Sequence, residues 1–391
     1  MNGSRQYILA AGGTGGHMIP AHALAAELMR RGHHVALITD ERGLRFPGLF
    51  EGVQLHQLPA GRLMGGPKGM IQALRNIWTG RERALALYEN FNPSAVVGFG
   101  GYPALPAILA AFKAKIPTII HEQNAVMGRT NRFLARKVNA IATAYQQVDR
   151  LKRRYRRKTE VVGNPVRDEV LFLRDLPYPP LSDDGIFRIL VVGGSQGAGI
   201  LSEVVPEGLG LLPLHLRRRL QVTQQCRPED LEKTRAQYAK LGIPADLSTY
   251  MTDLPQRLGW SHLVISRAGA STVAELSVAG RPAILIPYPA AMDNHQYANA
   301  RELVASGGAR LIDQRYFNPF ELAKQIQKMA LEPTGLKNAA MRARQVGYPD
   351  AAEKLADLVE RVGGDDPAAI LSKNGASADM TSNENKQGAV A

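Results

Sequence analysis

The chain has 391 residues, enough for two domains of ordinary size, each with its own core. Hydrophobic residues at 45% and charged residues at 21% mark an ordinary soluble globular composition. The longest apolar stretch, Pro103 to Phe112, is too short for the ~20 residues a membrane span needs, and the lone Cys226 excludes an internal disulfide.

The formal net charge of +13 points to a nucleic acid, an anionic membrane surface or an acidic substrate. A single cysteine suits a reducing compartment. Only Tyr7 to Ala11 is apolar before the first glycines, too short for a signal-peptide core. The chain is therefore expected to be soluble or to lie on a membrane surface.

The first element is a short strand ending in Gly12-Gly13-Thr14-Gly15-Gly16-His17. A strand, a glycine turn and a helix present free backbone N–H groups and a positive helix end to an anion, usually a phosphate. The dinucleotide fingerprint fits at Gly13 and Gly15 and fails at Met18. A helix is expected over Ala21 to Arg31 and a buried strand over His34 to Thr39. Asp40 then stands where a ribose-binding acid would, which keeps a nicotinamide oxidoreductase as a rival. His17 either caps the helix or acts as a base.

Pro67 to Leu85 sets Ile71, Leu74 and Trp78 near helical spacing, with Lys68, Arg75, Arg81 and Arg83 around them. Apolar anchors with a basic rim suit an anionic membrane; the bland alternative packs the stripe into the core. Strands follow at Ala95 to Gly98 and Thr118 to His121. The latter is followed by Glu122-Gln123-Asn124, a polar cluster without zinc spacing that suits a sugar or acceptor site. Arg150 to Lys158 holds seven basic residues in nine, a solvated helix end or an anion surface. No zinc-finger or RNP pattern supports nucleic acid.

The domain junction is expected near Val161 to Arg167, followed by the proline-rich Leu176 to Leu181. The opening phrase then recurs, Ile189-Leu190-Val191-Val192-Gly193-Gly194-Ser195-Gln196-Gly197, on a strand over Arg188 to Val192. Strands are expected at Leu263 to Ser266 and Ala283 to Pro287. After the first comes Arg267-Ala268-Gly269-Ala270-Ser271-Thr272, with Glu275 three residues on. Thr272-x-x-Glu275 is by itself a capping box; the functional alternative puts phosphate on the loop N–H groups and Thr272, and a ribose diol on Glu275. Asp293 to Asn299 clusters amides and an imidazole suited to sugar hydroxyls. Ala351 to Val362 reads as a helix and 363–391 as a disordered tail. Alternation of this kind predicts an α/β fold with parallel sheets covered by helices, one glycine loop to a domain.

Taken in order, Gly12 to His17, Gly98 to Pro103, His121 to Asn124, Gly163 to Arg167, Gly193 to Ala198, Ser266 to Glu275 and Asp293 to Tyr297 resemble the MurG family of peptidoglycan N-acetylglucosaminyltransferases. The resemblance covers roughly residues 5 to 360. It implies a GT-B fold, two Rossmann-like domains with parallel sheets facing a central cleft. On the boundaries read here these are 1–163, for acceptor and membrane, and 164–345, for UDP-GlcNAc, with a helix over 346–362 packing back on one of them.

The implied reaction moves GlcNAc from UDP-GlcNAc to the C4 hydroxyl of the muramoyl sugar in lipid I, with inversion, giving lipid II. The resemblance further implies Ser195 and Thr272 at the diphosphate, with the Ala270 and Ser271 backbone beside them. It implies Glu275 at the ribose, the Met251 backbone at the uracil, and Asn124 and Gln296 at the GlcNAc. Thr14, Gly15, Gly16 and Arg167 would complete the donor cleft, and Gly13, Gly100, Gly101 and Tyr102 would meet the acceptor diphosphate. The family's membrane patch corresponds to Lys68, Ile71, Leu74, Arg75, Trp78 and Arg81. His17 is the candidate base, with Glu122 and His121 as alternatives.

No Asp-x-Asp motif stands in the candidate loops, so neither an essential divalent metal nor another cofactor is expected. The implied location is the cytoplasmic face of the bacterial inner membrane, beside other cell-wall synthesis proteins. A UDP-GlcNAc 2-epimerase and a non-enzymatic UDP-sugar sensor at the membrane are the other rivals.

Overall fold

The computed structural model describes residues 3–45, 49–59, 66–194 and 197–364, the side chains of Arg45, Pro67 and Lys68 excepted. The chain divides into two compact units: residues 1–165 with 350–391, and residues 166–349. Seven strands build the first: β1 (Gln6–Ala10), β2 (His34–Thr39), β3 (Gln54–Gln57), β4 (Ala95–Gly98), β5 (Thr118–Glu122), β6 (Ala140–Thr143) and β7 (Thr159–Val161). Its helices are α1 (Gly15–Arg30), α2 (Gly66–Phe91), α3 (Gly101–Ala114) and α4 (Arg129–Leu134).

The second unit holds β8 (Phe187–Val192), β9 (Leu220–Gln225), β10 (Ala245–Ser248), β11 (Leu263–Ser266), β12 (Ala283–Leu285) and β13 (Ala309–Leu311). Its helices are α5 (Asp168–Asp175), α6 (Gly199–Gly210), α7 (Leu214–Arg217), α8 (Leu231–Leu241), α9 (Leu254–Trp260), α10 (Ala270–Ala279), α11 (His295–Ala305), α12 (Pro319–Ala330) and α13 (Pro333–Gln345). The last helix, α14 (Ala351–Gly364), returns to the first unit.

Both sheets are wholly parallel, ordered β3-β2-β1-β4-β5-β6-β7 and β10-β9-β8-β11-β12-β13. Each runs outward from its first strand in one direction, then jumps back to the other side. Loops at the carboxyl ends of β1 and β4, and of β8 and β11, therefore part at the reversal and leave a crevice. The sheets are buried on both faces, which is why their central strands are continuous apolar runs. Ile8, Ala10, Ala36 and Ile38 pack under α2 and α3, while Tyr7, Leu9, Val35 and Leu37 pack under α1 and α14.

The structure corrects several boundaries. α1 begins at Gly15, ahead of the expected Ala21, and runs through Pro20. β3, β6, β7, β9, β10 and β13 are additional strands. The 150–158 run forms a short 3-10 helix, Arg153–Lys158, pinned by the buried Tyr155. Lys158 Nζ donates to Val138 O at 2.6 Å, so this lysine serves the fold and not solvent. Residues 363 and 364, read as tail, complete α14; the rest of that reading lies outside the described residues. α14 is held by Arg31, which donates to Asp357 and Glu360, and by His33 Nε2, 2.7 Å from Glu360 Oε1.

Each unit also buries a neutral histidine. His121 Nε2–H donates to Gly163 O at 2.9 Å and its Nδ1 accepts from the Gln123 amide at 3.1 Å. His262 Nε2–H donates to Pro180 O at 3.2 Å and its Nδ1 accepts from Arg188 N–H at 3.0 Å. Burial pushes both imidazoles down to about 4. The unfolded chain, with ordinary histidines near ~6.5, then binds more protons than the fold between pH 6.5 and 4. Stability should be full above that window, fall as pH drops through it and level off below, at up to ~1.4 kcal/mol per pH unit per histidine. Urea unfolding of the full chain at pH 7.5, 6 and 5 measures the slope. His262→Gln should roughly halve it, and an unchanged slope would remove His262 from this account.

Candidate active site

In the first unit the glycine turns that open the two reversal loops pack against each other at the base of the crevice. Gly13 (φ 90°) and Gly100 and Gly101 (φ 83° and 73°) adopt backbone that side chains resist. A Cβ on Gly101 would meet Gly12 O at 3.2 Å, and one on Gly12 would strike Pro103 Cγ at 2.6 Å. The His17 ring lies between the loops: a Cβ on Gly100 would come within 3.5 Å of Nε2, and one on Gly101 within 3.4 Å of Nδ1. His17 Nδ1 is 3.0 Å from Gly12 O. A carbonyl can only accept, so Nδ1 carries the proton and Nε2 holds the lone pair. Thr14 stands at the N-cap of α1 without a side-chain cap bond, and Gly15, Gly16 and His17 form the first turn. Tyr102 is half-buried in the first turn of α3.

The alternative bases fare differently. Both ring nitrogens of His121 are occupied and the ring is fully buried, so it clamps β5 to the Gly163 turn and cannot take up a substrate proton. Glu122 is also buried. Its Oε1 accepts from the Asn124 backbone and amide N–H, and its Oε2 from Gly128 N–H and Asn131 Nδ2, the last two at 2.8 Å. Burial raises the carboxyl and the four donors pull it back. Glu122 shapes the 122–131 loop, and with it Asn124, rather than facing a reactant. Asp40 is likewise spent: its Oδ1 accepts from Gly13 N–H at 3.1 Å and Gly43 N–H at 2.9 Å, and its Oδ2 from Arg42. It braces the first loop and has no oxygen left over for a ribose diol, which removes the residue the nicotinamide rival needed.

In the second unit Gly193 admits no side chain, since a Cβ would lie 2.4 Å from Ala198 N. Gln225 Oε1 accepts Gly193 N–H at 3.2 Å and ties the loop to β9. Ser195 lies outside the described residues. The capping box that Thr272-x-x-Glu275 could make does not form. α10 starts at Ala270 with Gly269 as N-cap and no side-chain cap, so Ala270, Ser271 and Thr272 are its first turn. Glu275 instead faces Arg167, whose Nε and Nη2 donate to Oε1 at 3.1 and 2.8 Å. Both bonds land on one oxygen, so Oε2 is not part of the pair. Burial raises the Glu275 carboxyl and the Arg167 charge opposes that.

Gln296 Oε1 accepts from Ala268 N–H at 3.2 Å and Tyr288 N–H at 2.9 Å, which fixes its amide nitrogen on the opposite side. Asn299 Nδ2 donates to Ala268 O at 3.2 Å, so α11 grips both polar atoms of that residue. Met251 buries its side chain with Val166 and Leu258, leaving its backbone for any ligand contact. Sequence reading missed Gln225 and Asn299 as loop braces. The polar end of the alternating run Leu220–Gln225 was the available signal.

On α2 the apolar stripe faces outward, against its bland alternative. Ile71, Leu74 and Trp78 are 56%, 58% and 63% exposed, whereas Ala73, Gly80, Ala84 and Tyr88 form the buried side. Small residues let α2 approach α3 closely: a Cβ on Gly80 would lie 3.1 Å from Pro106 Cβ. Arg75 is exposed, and the Arg81 guanidinium stacks over the Trp78 ring at 4.8 Å. The Lys68 side chain lies outside the described residues. Among the described residues no helix is long and apolar enough to cross a membrane.

Two reversal crevices, each floored by a glycine loop and a helix start, define a two-domain α/β enzyme class built for phosphate-bearing ligands. Residues 7–143 match the glycosyltransferase family 28 N-terminal domain and residues 188–362 its C-terminal domain. A Zymomonas mobilis protein is 86% identical over the full length of both chains. It is named UDP-N-acetylglucosamine–N-acetylmuramyl-(pentapeptide) pyrophosphoryl-undecaprenol N-acetylglucosamine transferase. The crystal structure of Acinetobacter baumannii MurG is 30% identical, with TM-score 0.73 over 92% of this chain and 100% of that one. A putative UDP-N-acetylglucosamine 2-epimerase from Listeria monocytogenes, 13% identical, shares the fold alone at TM-score 0.67 over 93% of this chain and 98% of its own. The chain belongs to glycosyltransferase family 28, among its MurG-type members, with the GT-B class of fold.

Proposed function

We propose that the chain transfers GlcNAc from UDP-GlcNAc to the C4 hydroxyl of the muramoyl sugar in undecaprenyl-diphospho-MurNAc-pentapeptide, giving lipid II. The observation that carries this reading is the uncapped first turn of α10 beside the Arg167–Glu275 pair. Free N–H groups at a helix start stabilise the diphosphate, most strongly as its charge grows in the transition state. Arg167 holds Glu275 in place for the ribose hydroxyls, and the oriented Gln296 amide serves the sugar. Asn124, on the loop that Glu122 shapes, is the first unit's own candidate for a sugar contact.

In the reaction the acceptor C4 oxygen attacks the anomeric carbon while the bond from that carbon to the diphosphate oxygen breaks. UDP leaves with the electron pair, configuration inverts, and the hydroxyl proton passes to a base. His17 takes this proton at Nε2, and the Gly13 and Gly100–Tyr102 loops hold the acceptor's diphosphate. The test is incubation with labelled UDP-GlcNAc and a lipid I analogue: lipid II is the expected product. Release of ManNAc and UDP, or UDP binding without any transfer, would overturn the assignment.

The outward stripe of α2 supports contact with an anionic membrane, which brings the first unit to a lipid-linked acceptor at the cytoplasmic face. Trp78→Ser should weaken co-sedimentation with anionic vesicles several-fold, since a large interfacial aromatic is lost from a small anchor. Unchanged binding would remove the anchor.

A further inference from the structure

The second unit carries a cation that none of these roles uses. Arg227 follows β9, the neighbour of β8, at the same sheet edge as the Gly193 loop. A Cβ on Gly197 would lie 2.9 Å from Arg227 Cγ, and one on Gly199 3.8 Å from Arg227 Nη1. The side chain therefore runs along the glycine loop as far as Gly199, the first residue of α6.

Little else holds that guanidinium. The side chain is 44% exposed, and its one ion-pair contact among the described residues is Glu229 at 3.9 Å, itself mostly solvated. Asp230 Oδ2 lies 3.3 Å from the same Gly199 Cβ position, buried and without a hydrogen-bond partner. A second cation stands close by. Arg267 follows β11 across the reversal and spends one nitrogen on the Ile286 and Pro287 carbonyls. Burial lowers the Arg267 pKa and the Arg227 charge lowers it further, so the two guanidinium groups repel. Two arginines at this end of the sheet, one of them weakly held and repelled by the other, suit an anion there.

We propose that Arg227 is a substrate-contacting residue that binds the donor's diphosphate and neutralises it as the bond to the anomeric carbon breaks. This rests on the donor-site reading for the second unit. The guanidinium fork suits paired phosphate oxygens, and its weak hold on protein groups lets it follow charge onto the leaving group.

Calorimetric titration of the full chain with uridine, UMP and UDP tests it, on the wild type, Arg227→Ala and Arg227→Lys. The wild type should prefer UDP to uridine. Arg227→Ala should lose roughly tenfold or more of its UDP affinity, as for a hydrogen bond to a charged group, and keep its uridine affinity within about twofold. Arg227→Lys should recover part of the loss. Undiminished UDP binding by Arg227→Ala, or an equal loss for uridine, would overturn the role of Arg227. A wild-type chain with no preference for UDP would instead overturn the donor reading itself.

Discussion

Replacing His17 by alanine is expected to cut turnover with saturating acceptor by about two to four orders of magnitude, the usual worth of a positioned proton acceptor. UDP binding should change little, because the residues assigned to the uracil, ribose and diphosphate (Met251, Glu275, Thr272 and its neighbours) belong to the second unit. The geometry supports His17 over its rivals through its tautomer. Gly12 O accepts the Nδ1 proton, so Nε2 is the unprotonated ring nitrogen. His121 and Glu122 have every acceptor atom committed to the fold. Glu122→Gln should therefore damage stability, since an amide NH2 would face N–H donors that a carboxylate satisfies. A different division of labour is open to the same loops. If His17 only shapes the acceptor's diphosphate site, His17→Ala raises KM for the lipid and spares kcat. Near-normal kcat at saturating lipid I is the outcome that sinks the base assignment.

The parts of the fold legible in the sequence are those where local chemistry allows one answer. The doubled glycine phrase could be read because Gly13 and Gly194, at φ 90° and 82°, stand where other residues are strained. β2 and β11 could be read because central parallel strands are apolar throughout. β9 was not legible: Thr223, Gln224 and Gln225 are buried yet polar, the two glutamines because Tyr238 and Gly193 bond to them. The Gly-Gly pair and Pro20 hid the true start of α1.

Thr272 and Glu275 carried a local capping signal that a distant partner overrode, for Arg167 lies 108 positions away in sequence. Periodicity on α2 announced an amphipathic helix but not which stripe is buried. Close packing on α3 selects the small residues, and the large ones remain outside.

Arg281 shows how much of the second unit's stability no motif announces. Replacing it by methionine is expected to cost about 3–5 kcal/mol, the effect of leaving buried polar partners unmatched. The side chain is 1% exposed, and among the described residues no carboxylate accepts from it. Its Nε donates to Leu258 O at 2.8 Å and its Nη2 to Gly259 O at 3.1 Å, both near the end of α9. Its Nη1 donates to Ala279 O and Gly280 O at the end of α10, at 3.0 and 3.2 Å. One cation thus closes the negative ends of two helices, where a charge is best placed to offset its own burial. That offset is incomplete, since burial lowers the Arg281 pKa to about 10, still far above neutral pH. Methionine fills the volume but takes the guanidinium donors from the Gly259, Ala279 and Gly280 carbonyls, while Leu258 O keeps the Ser261 hydroxyl. Lysine keeps the charge, yet its compact tip cannot span both helix ends, so Arg281→Lys should recover only part of the loss. Trp260 on α9 reports the event, and with Trp78 replaced by Phe its fluorescence follows the second unit alone. For a unit of this size the unfolding midpoint should fall by roughly 10 °C. A loss below about 1 kcal/mol would mean that water satisfies those carbonyls and that Arg281 is not the clamp of α9 and α10.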